Sequence, residues 1–294
     1  SFSYKNNTVI NANNSGTLAR LILGVLAASK KTLTIKGDKS LSKRDFSRVI
    51  KPLNMFGVKI RSKNNMLPLK ITGTDFLRPI KWNETLKSAQ VKSCIMLAAL
   101  NTPGNVQIRA HISRDHSERF FKFLKIPIKI KKQKKLDIIN IKGQQQYKSF
   151  ISKLPGDISS ASFFLILTLL SKNSEILIKN VNVNKTRIGI IDILKKMKAK
   201  IKIINNKTIN GEEVADIYAK STKNLKSVKP NPSINSRLID ELPLIFLACA
   251  KSKGVSYFKD LGELRHKEQD RLRFSSNFLK MIGIKVVETS DTLK

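Results

Sequence analysis

Four stretches of the chain are apolar almost all round over helical length, and each opens on small polar residues. Asn14-Ser15-Gly16-Thr17 leads a run to Ala28, Ser88-Ala89-Gln90 one to Leu100, Ser159-Ser160-Ala161-Ser162 one to Leu170, and Ser236-Arg237-Leu238-Ile239-Asp240 one to Ala250. Helices apolar on every side are expected to be buried. Four other helices are amphipathic and begin on a basic residue: Arg44 to Phe56, Arg114 to Leu124, Arg187 to Met197 and Arg271 to Ile282. In the last, Phe274, Phe278, Met281 and Ile282 form the apolar stripe and Gly283 the stop. Each is followed by a short β-type stretch, at 58–60, 126–130, 199–204 and 284–287, and another lies between the two helices, as at 32–35 and 175–178. Ile128-Lys129-Ile130-Lys131 and Lys200-Ile201-Lys202-Ile203 alternate apolar with charged, the period of a sheet with one wet face.

These elements recur. The leading serines stand at 15, 88, 159 and 236, in steps of 73, 71 and 77, and the leading arginines at 44, 114, 187 and 271, in steps of 70, 73 and 84. The period exceeds that of common solenoids. The pattern predicts an α/β fold of repeated units, with buried helices behind outward-facing sheets. Pro155-Gly156-Asp157 breaks the chain near its middle and predicts two domains, 1–155 and 156–294. Residues 221–233, rich in Lys, Asn and Pro, read as a strand and an exposed loop, and 131–135 as a solvated hairpin edge.

Composition narrows the function. The chain has 294 residues, 41% hydrophobic, and no apolar run approaches the roughly 18 residues of a membrane span, so no membrane partner is expected. Cys94 and Cys249 sit inside apolar helical runs, which suits free thiols in a reducing compartment, the cytoplasm. The net charge of +35 points bluntly to nucleic acid. The excess is mostly Lys spread along the chain, however, and aromatics for base stacking are only 6%, so the expectation is no nucleic-acid partner and a field that draws anionic substrates. A basic RNA-binding α/β repeat protein is the alternative from another class, and steeply salt-dependent RNA binding would identify it.

The richest chemistry lies at Glu263-Leu264-Arg265-His266-Lys267-Glu268-Gln269-Asp270-Arg271. Read as the start of a helix, it puts Lys267 and Arg271 on one face beside Glu268, which would suit an anion needing a proton donor or acceptor. Gly16 permits close backbone approach at the start of the first helix, and Ser88-Ala89-Gln90 presents a second helix N-terminus. Ser159 and Ser160 read as ordinary N-caps. His111, His116 and the two cysteines show no metal-ligand spacing, and neither GxGxxG nor a P-loop occurs, so no metal or cofactor is expected.

Taken in order, Asn14-Ser15-Gly16-Thr17-Leu18-Ala19-Arg20, Gly37-Asp38-Lys39-Ser40-Leu41-Ser42-Lys43-Arg44, Ser88-Ala89-Gln90-Val91-Lys92-Ser93, Ser113-Arg114-Asp115-His116-Ser117-Glu118, Pro155-Gly156-Asp157, Ile239-Asp240-Glu241-Leu242-Pro243 and Lys267-Glu268-Gln269-Asp270-Arg271 resemble the 5-enolpyruvylshikimate-3-phosphate (EPSP) synthase family of enolpyruvyl transferases, in its bacterial class II wording. That resemblance implies six βαβαββ units, three per domain, of which four are visible. It also implies a fragment lacking the first and last units, together with the family's N-terminal Lys-Ser motif and late basic ligands. A chain of this extent is expected not to turn over alone, and the full-length protein to be a cytoplasmic monomer. The implied reaction transfers the enolpyruvyl group of phosphoenolpyruvate to the 5-hydroxyl of shikimate 3-phosphate, releasing phosphate, without cofactor or metal.

By the same resemblance, Asp240 is the base near the 5-hydroxyl, and Glu268 with Lys267 handles the proton at the methylene carbon. Gly16, Arg44, Gln90 and Arg271 line the phosphoenolpyruvate pocket. Ser88, Ala89, Gln90, Arg114, Asp240 and Lys267 hold shikimate 3-phosphate. Asp45 stands where the family usually has Pro, which puts the local loop shape in question. A rival reading within the same fold is UDP-N-acetylglucosamine enolpyruvyl transferase; that family usually carries a loop cysteine, and neither Cys94 nor Cys249 falls in a predicted loop.

Overall fold

The computed structural model describes residues 5–85, 88–134, 136–145 and 149–294. They divide into two units, 1–150 and 151–294, each with its own apolar core. In the first unit the order is β1 (Val9–Asn11), α1 (Gly16–Val25, extended by a 3-10 turn Leu26–Ala28), β2 (Thr32–Lys36), α2 (Ser47–Met55), β3 (Lys59–Arg61) and β4 (Leu69–Thr72). The same order then repeats as β5 (Lys81–Glu84), α3 (Ala89–Ala99), β6 (Asn105–His111), α4 (His116–Phe123), β7 (Ile128–Lys132) and β8 (Leu136–Lys142). Each half is a βαβαββ unit. The sheets run β1-β2-β4-β3 and β5-β6-β8-β7, with the first pair parallel and the others antiparallel. Register places Leu33 beside Ile71 and Ile108 beside Ile139 on the buried face, leaving the alternate lysines to solvent. Behind the sheets α1 and α3 are packed through Ala19, Leu23, Val91, Cys94 and Ile95, all fully buried.

The second unit holds α5 (Ile158–Leu170), β9 (Glu175–Asn182), α6 (Gly189–Lys196), β10 (Lys200–Ile209) and β11 (Glu212–Lys220), then α7 (Leu242–Ala250) and α8 (Arg271–Met281). Its sheet order β10-β11-β9, with a parallel bridge from Gly156 to Val181, repeats the pattern of the first unit with the first strand reduced to one bridge. In the fourth copy the strands shrink to isolated bridges, Lys226 with parallel Lys253 and Leu293 with Phe258 and Glu288.

Several sequence expectations need correction. Residues 284–287 form no strand; their neighbour 288–294 pairs through single bridges, too few for a ladder. Residues 221–231 carry one bridge rather than a strand, and a 3-10 helix Pro232–Arg237 follows. That turn displaces the start of α7 to Leu242, six residues past Ser236, where Pro243 fits the first turn because it needs no amide donor. Three of the basic-led helices start two or three residues after Arg44, Arg114 and Arg187, which occupy the entering loops. The helix α5 is not buried all round: Phe163, Phe164 and Leu167 are 63%, 57% and 65% exposed, so its apolar composition is matched by packing on one side only. Ser159 and Ser160 do not cap α5; Asp157 does, accepting from the Ser160 amide at 2.9 Å. Lys135, in the expected hairpin edge, lies outside the described residues.

Both cysteines stand on helices, Cys94 in α3 and Cys249 in α7. Both are free, and burial pushes the Cys94 thiol up to about 12 and the Cys249 thiol up to about 11. No helix among the described residues is long and apolar enough to cross a membrane. Nor do those residues bring together three His, Cys, Asp or Glu side chains in a group able to hold a metal ion.

Candidate active site

In the first unit the expected ligands meet at the N-terminus of α1. Ser15 caps the helix, accepting from the Leu18 amide at 3.1 Å. Asp38 ties this turn to the following loop: it accepts from the Leu41 amide at 2.7 Å and from Asn14 Nδ2 at 2.5 Å. These two donors, the Leu41 amide first, hold its carboxyl below the usual range. The loop then delivers Arg44 to Gly16, so that a Cβ added at Gly16 would stand 3.2 Å from Arg44 Nη1 and 2.7 Å from Arg20 Nη1. Asp45 shapes the exit, accepting from the Ser47 amide at 2.9 Å at the start of α2. The departure from the family pattern at Asp45 thus supplies a side-chain turn into the helix.

Arg20 was not among the residues singled out by sequence, yet it organises this cluster. It is 9% exposed, donates to the Gly16 carbonyl at 3.3 Å and to Gln90 Oε1 at 3.2 Å, and lies 4.8 Å over the Phe46 ring. Gln90 Nε2 in turn donates to Thr17 Oγ1 at 2.8 Å. Burial, followed by the nearby charges of Arg44 and Arg48, pushes the Arg20 guanidinium down to about 10, opposed by Asp45. Burial alone would disfavour an anion as well, but the neighbouring charges of Arg44 and Arg48 favour one, here beside a helix N-terminus and a side-chain-free backbone. The i,i+4 spacing of Gly16 and Arg20 was the available signal, since it puts both on one helix face.

The second group stands at the N-terminus of α3. Ser88 caps it, accepting from the Val91 amide at 3.3 Å, and Ala89 and Gln90 form its first turn. Arg114 enters from the loop before α4, half-buried, with its carbonyl accepting from Lys92 Nζ at 2.9 Å. Lys92 is itself buried and paired with buried Glu118 at 2.5 Å.

In the second unit Asp240 lies in the turn before α7, and the N-cap of that helix is its neighbour Glu241. Asp240 thus stands one residue before that N-cap. Its Oδ1 receives Arg271 Nη1 at 3.2 Å and lies 3.6 Å from Lys267 Nζ. Glu268 grips the same guanidinium from the other side, Nε to Oε1 at 2.8 Å and Nη2 to Oε2 at 3.0 Å. The expected helix face is not how these groups meet. α8 begins at Arg271, capped by Asp270, and Lys267 ends the 3-10 helix Gly262–His266. Convergence on Asp240, not helical spacing, brings Lys267 and Arg271 together.

Two buttresses hold the pair of loops. Arg265 reaches Asp270 at 2.6 Å, Glu288 at 2.8 Å and the Thr289 carbonyl at 2.6 Å, fixing the entry to α8. Glu241, 1% exposed, accepts from Ser159, and Arg187 bridges Ser159 at 2.7 Å and Asp157 at 2.9 Å, which ties α7's start to α5. Glu241 does not stand out in sequence, because its partner Ser159 is distant along the chain, and of the Arg265 partners only Asp270 lies in the same charged stretch.

The model of the family described as EPSP synthase (3-phosphoshikimate 1-carboxyvinyltransferase) matches residues 1–294. Among curated relatives, the chain is 42% identical over 292 residues to a protein named 3-phosphoshikimate 1-carboxyvinyltransferase from Petrotoga mobilis, covering 96% of this chain and 65% of that one. It is also 42% identical to a protein of the same name from Ruthia magnifica, with coverage of 98% and 65%. The chain thus spans about 65% of the length of these relatives. A solved structure of EPSP synthase from Acinetobacter baumannii superposes with a TM-score of 0.83 at 33% identity, over 98% of this chain and 65% of that one. The enolpyruvyl transferase NikO from Streptomyces tendae shares the fold at 15% identity and a TM-score of 0.62, over 86% and 58%.

Proposed function

The chain belongs to the EPSP synthase family, and from that premise we propose that the protein carrying it transfers the enolpyruvyl group of phosphoenolpyruvate to the 5-hydroxyl of shikimate 3-phosphate and releases phosphate. The observation that carries this reading is the family match along residues 1–294, joined to 42% identity with proteins named for that activity. In this reading the substrate hydroxyl oxygen adds to C2 of phosphoenolpyruvate while C3 takes up a proton. The tetrahedral intermediate then loses a C3 proton and its phosphate. Asp240 takes the hydroxyl proton; Glu268, with Lys267, carries the proton to and from C3. Gly16, Arg44, Gln90 and Arg271 bind phosphoenolpyruvate, and Arg20 supports them through its bonds to the Gly16 carbonyl and Gln90. Ser88, Ala89, Gln90, Arg114, Asp240 and Lys267 hold shikimate 3-phosphate. Because both Glu268 oxygens sit on Arg271, an incoming substrate anion that takes the Arg271 fork frees Glu268 for proton transfer. The test is phosphate release by the full-length protein with both substrates. Release from phosphoenolpyruvate alone, or none with shikimate 3-phosphate added, would refute the reading.

Arg271→Lys in the full-length protein is expected to raise KM for phosphoenolpyruvate well above that for shikimate 3-phosphate, since an ammonium cannot reproduce a guanidinium fork. Equal increases in the two constants would remove Arg271 from the phosphoenolpyruvate pocket.

At Gly16 the added methyl of Gly16→Ala meets side-chain ends, those of Arg20 and Arg44, and no backbone, so the helix survives while the Arg20 bonds to the Gly16 carbonyl and Gln90 must give. A methyl inside a binding pocket shifts relative affinity by about 1–3 kcal/mol. We expect the wild-type protein to be inhibited by glyphosate in competition with phosphoenolpyruvate. The Ala variant should bind both more weakly, the longer inhibitor more so. Inhibition constants measured at several phosphoenolpyruvate concentrations decide it; unchanged constants in the variant would sink the assignment.

A further inference from the structure

The Lys92–Glu118 pair is hard to account for as a stabilising contact. Lys92 lies on α3 among Val91, Cys94 and Ile95, all fully buried, and the two charged side chains are 2% and 4% exposed. Buried ion pairs are often matched or surpassed in stability by apolar side chains of the same size, because desolvation cancels much of the attraction. Here the cost is visible on the carboxylate: Glu118 Oε2 is buried without a hydrogen-bond partner among the described residues, and burial pushes the Glu118 carboxyl upward against the pull of Lys92.

What an apolar pair could not do is hold a carbonyl. Lys92 Nζ reaches Glu118 Oε1 at 2.5 Å and the Arg114 carbonyl at 2.9 Å. Lys92 stands one turn after Ser88, whose carbonyl accepts the Lys92 amide at 3.2 Å. The Arg114 backbone is thereby pinned to the same helical turn that presents Ser88, Ala89 and Gln90. A second bond, Ser93 Oγ to Ser117 Oγ at 2.6 Å, joins the same two helices without touching Arg114.

We propose that the buried Lys92–Glu118 pair is the positioning element for shikimate 3-phosphate, holding Arg114 at a fixed place relative to the N-terminus of α3. Glu118 orients the ammonium, and the ammonium holds the Arg114 carbonyl. This rests on the reading that Ser88 and Arg114 contact that substrate.

The full-length protein tests it with three variants, each measured for kcat, both KM values and urea unfolding. Arg114→Ala tests the underlying reading alone. Lys92→Met by itself would strand a buried carboxylate and compromise folding, so the decisive variant is the double one, Lys92→Met with Glu118→Leu, which keeps the core filled. Glu118→Gln is the conservative variant, retaining an acceptor for Lys92. The double variant is expected to unfold at a urea midpoint near wild type while its KM for shikimate 3-phosphate rises about tenfold or more, as misplacement of a binding group does. Its KM for phosphoenolpyruvate should stay near wild type, and Glu118→Gln should retain most shikimate 3-phosphate affinity. A folded double variant with wild-type KM for shikimate 3-phosphate would overturn the proposal, as would equal rises in both constants. Should Arg114→Ala leave that KM unmoved, the site reading itself fails, and with it the proposal.

Discussion

Replacing Asp240 with asparagine in the full-length protein is expected to lower kcat by about 100- to 10,000-fold, the range over which a positioned general base acts. The substitution keeps the shape and one oxygen to receive Arg271, so the turn before α7 should survive. It removes the capacity to accept a proton. The structure separates this from a capping effect, because Glu241, not Asp240, occupies the N-cap of α7. Circular dichroism and urea unfolding close to wild type, with kcat collapsed, are the expected pair of results. A kcat within a few-fold of wild type would show that Asp240 only anchors Lys267 and Arg271, and the proton would need another acceptor.

A large loss of stability is expected on filling Gly24. There α1 and α3 approach backbone to backbone, and an added Cβ would stand far inside contact distance of the Cys94 carbonyl and 3.1 Å from Leu97 Cβ. Two terms oppose each other in Gly24→Ala. Helix propensity favours alanine by about 1 kcal/mol. Forcing a methyl into a packed helix crossing costs about 1–3 kcal/mol, and more where the obstacle is backbone, which cannot turn aside. The steric term should win, with a net loss of about 2 kcal/mol or more, read as a lower urea midpoint. A midpoint at or above wild type would mean that the crossing is looser than described. The contrast with Gly16 is instructive, since the same methyl there meets guanidinium ends and no backbone.

Much of this was legible in the sequence. The period-2 lysines and isoleucines of β7 and β10 gave the wet sheet faces, and Ser15 and Ser88 marked the starts of α1 and α3, because capping and periodicity act over a few residues. The repeat itself was readable as recurring helix types, and in the first unit it became two βαβαββ halves. Errors fell where local signals competed. Ser236 looked like a cap, but residues 232–237 closed into a 3-10 helix, and Pro243 was the better sign of the first turn of α7.

By itself, then, the sequence determined the family, the repeated unit and the residue types at the site, since these reside in short motifs and in spacing. Tertiary structure decided which charges meet. Asp240 gathers Lys267 and Arg271 from residues some thirty positions away, Arg20 reaches Gln90 across seventy, and Lys92 finds Glu118 on another helix. It also decided that α5, apolar throughout in composition, packs on one side only. Such pairings follow from how helices and loops are brought together in space, and a side chain's local neighbours carry no record of a partner that only folding supplies.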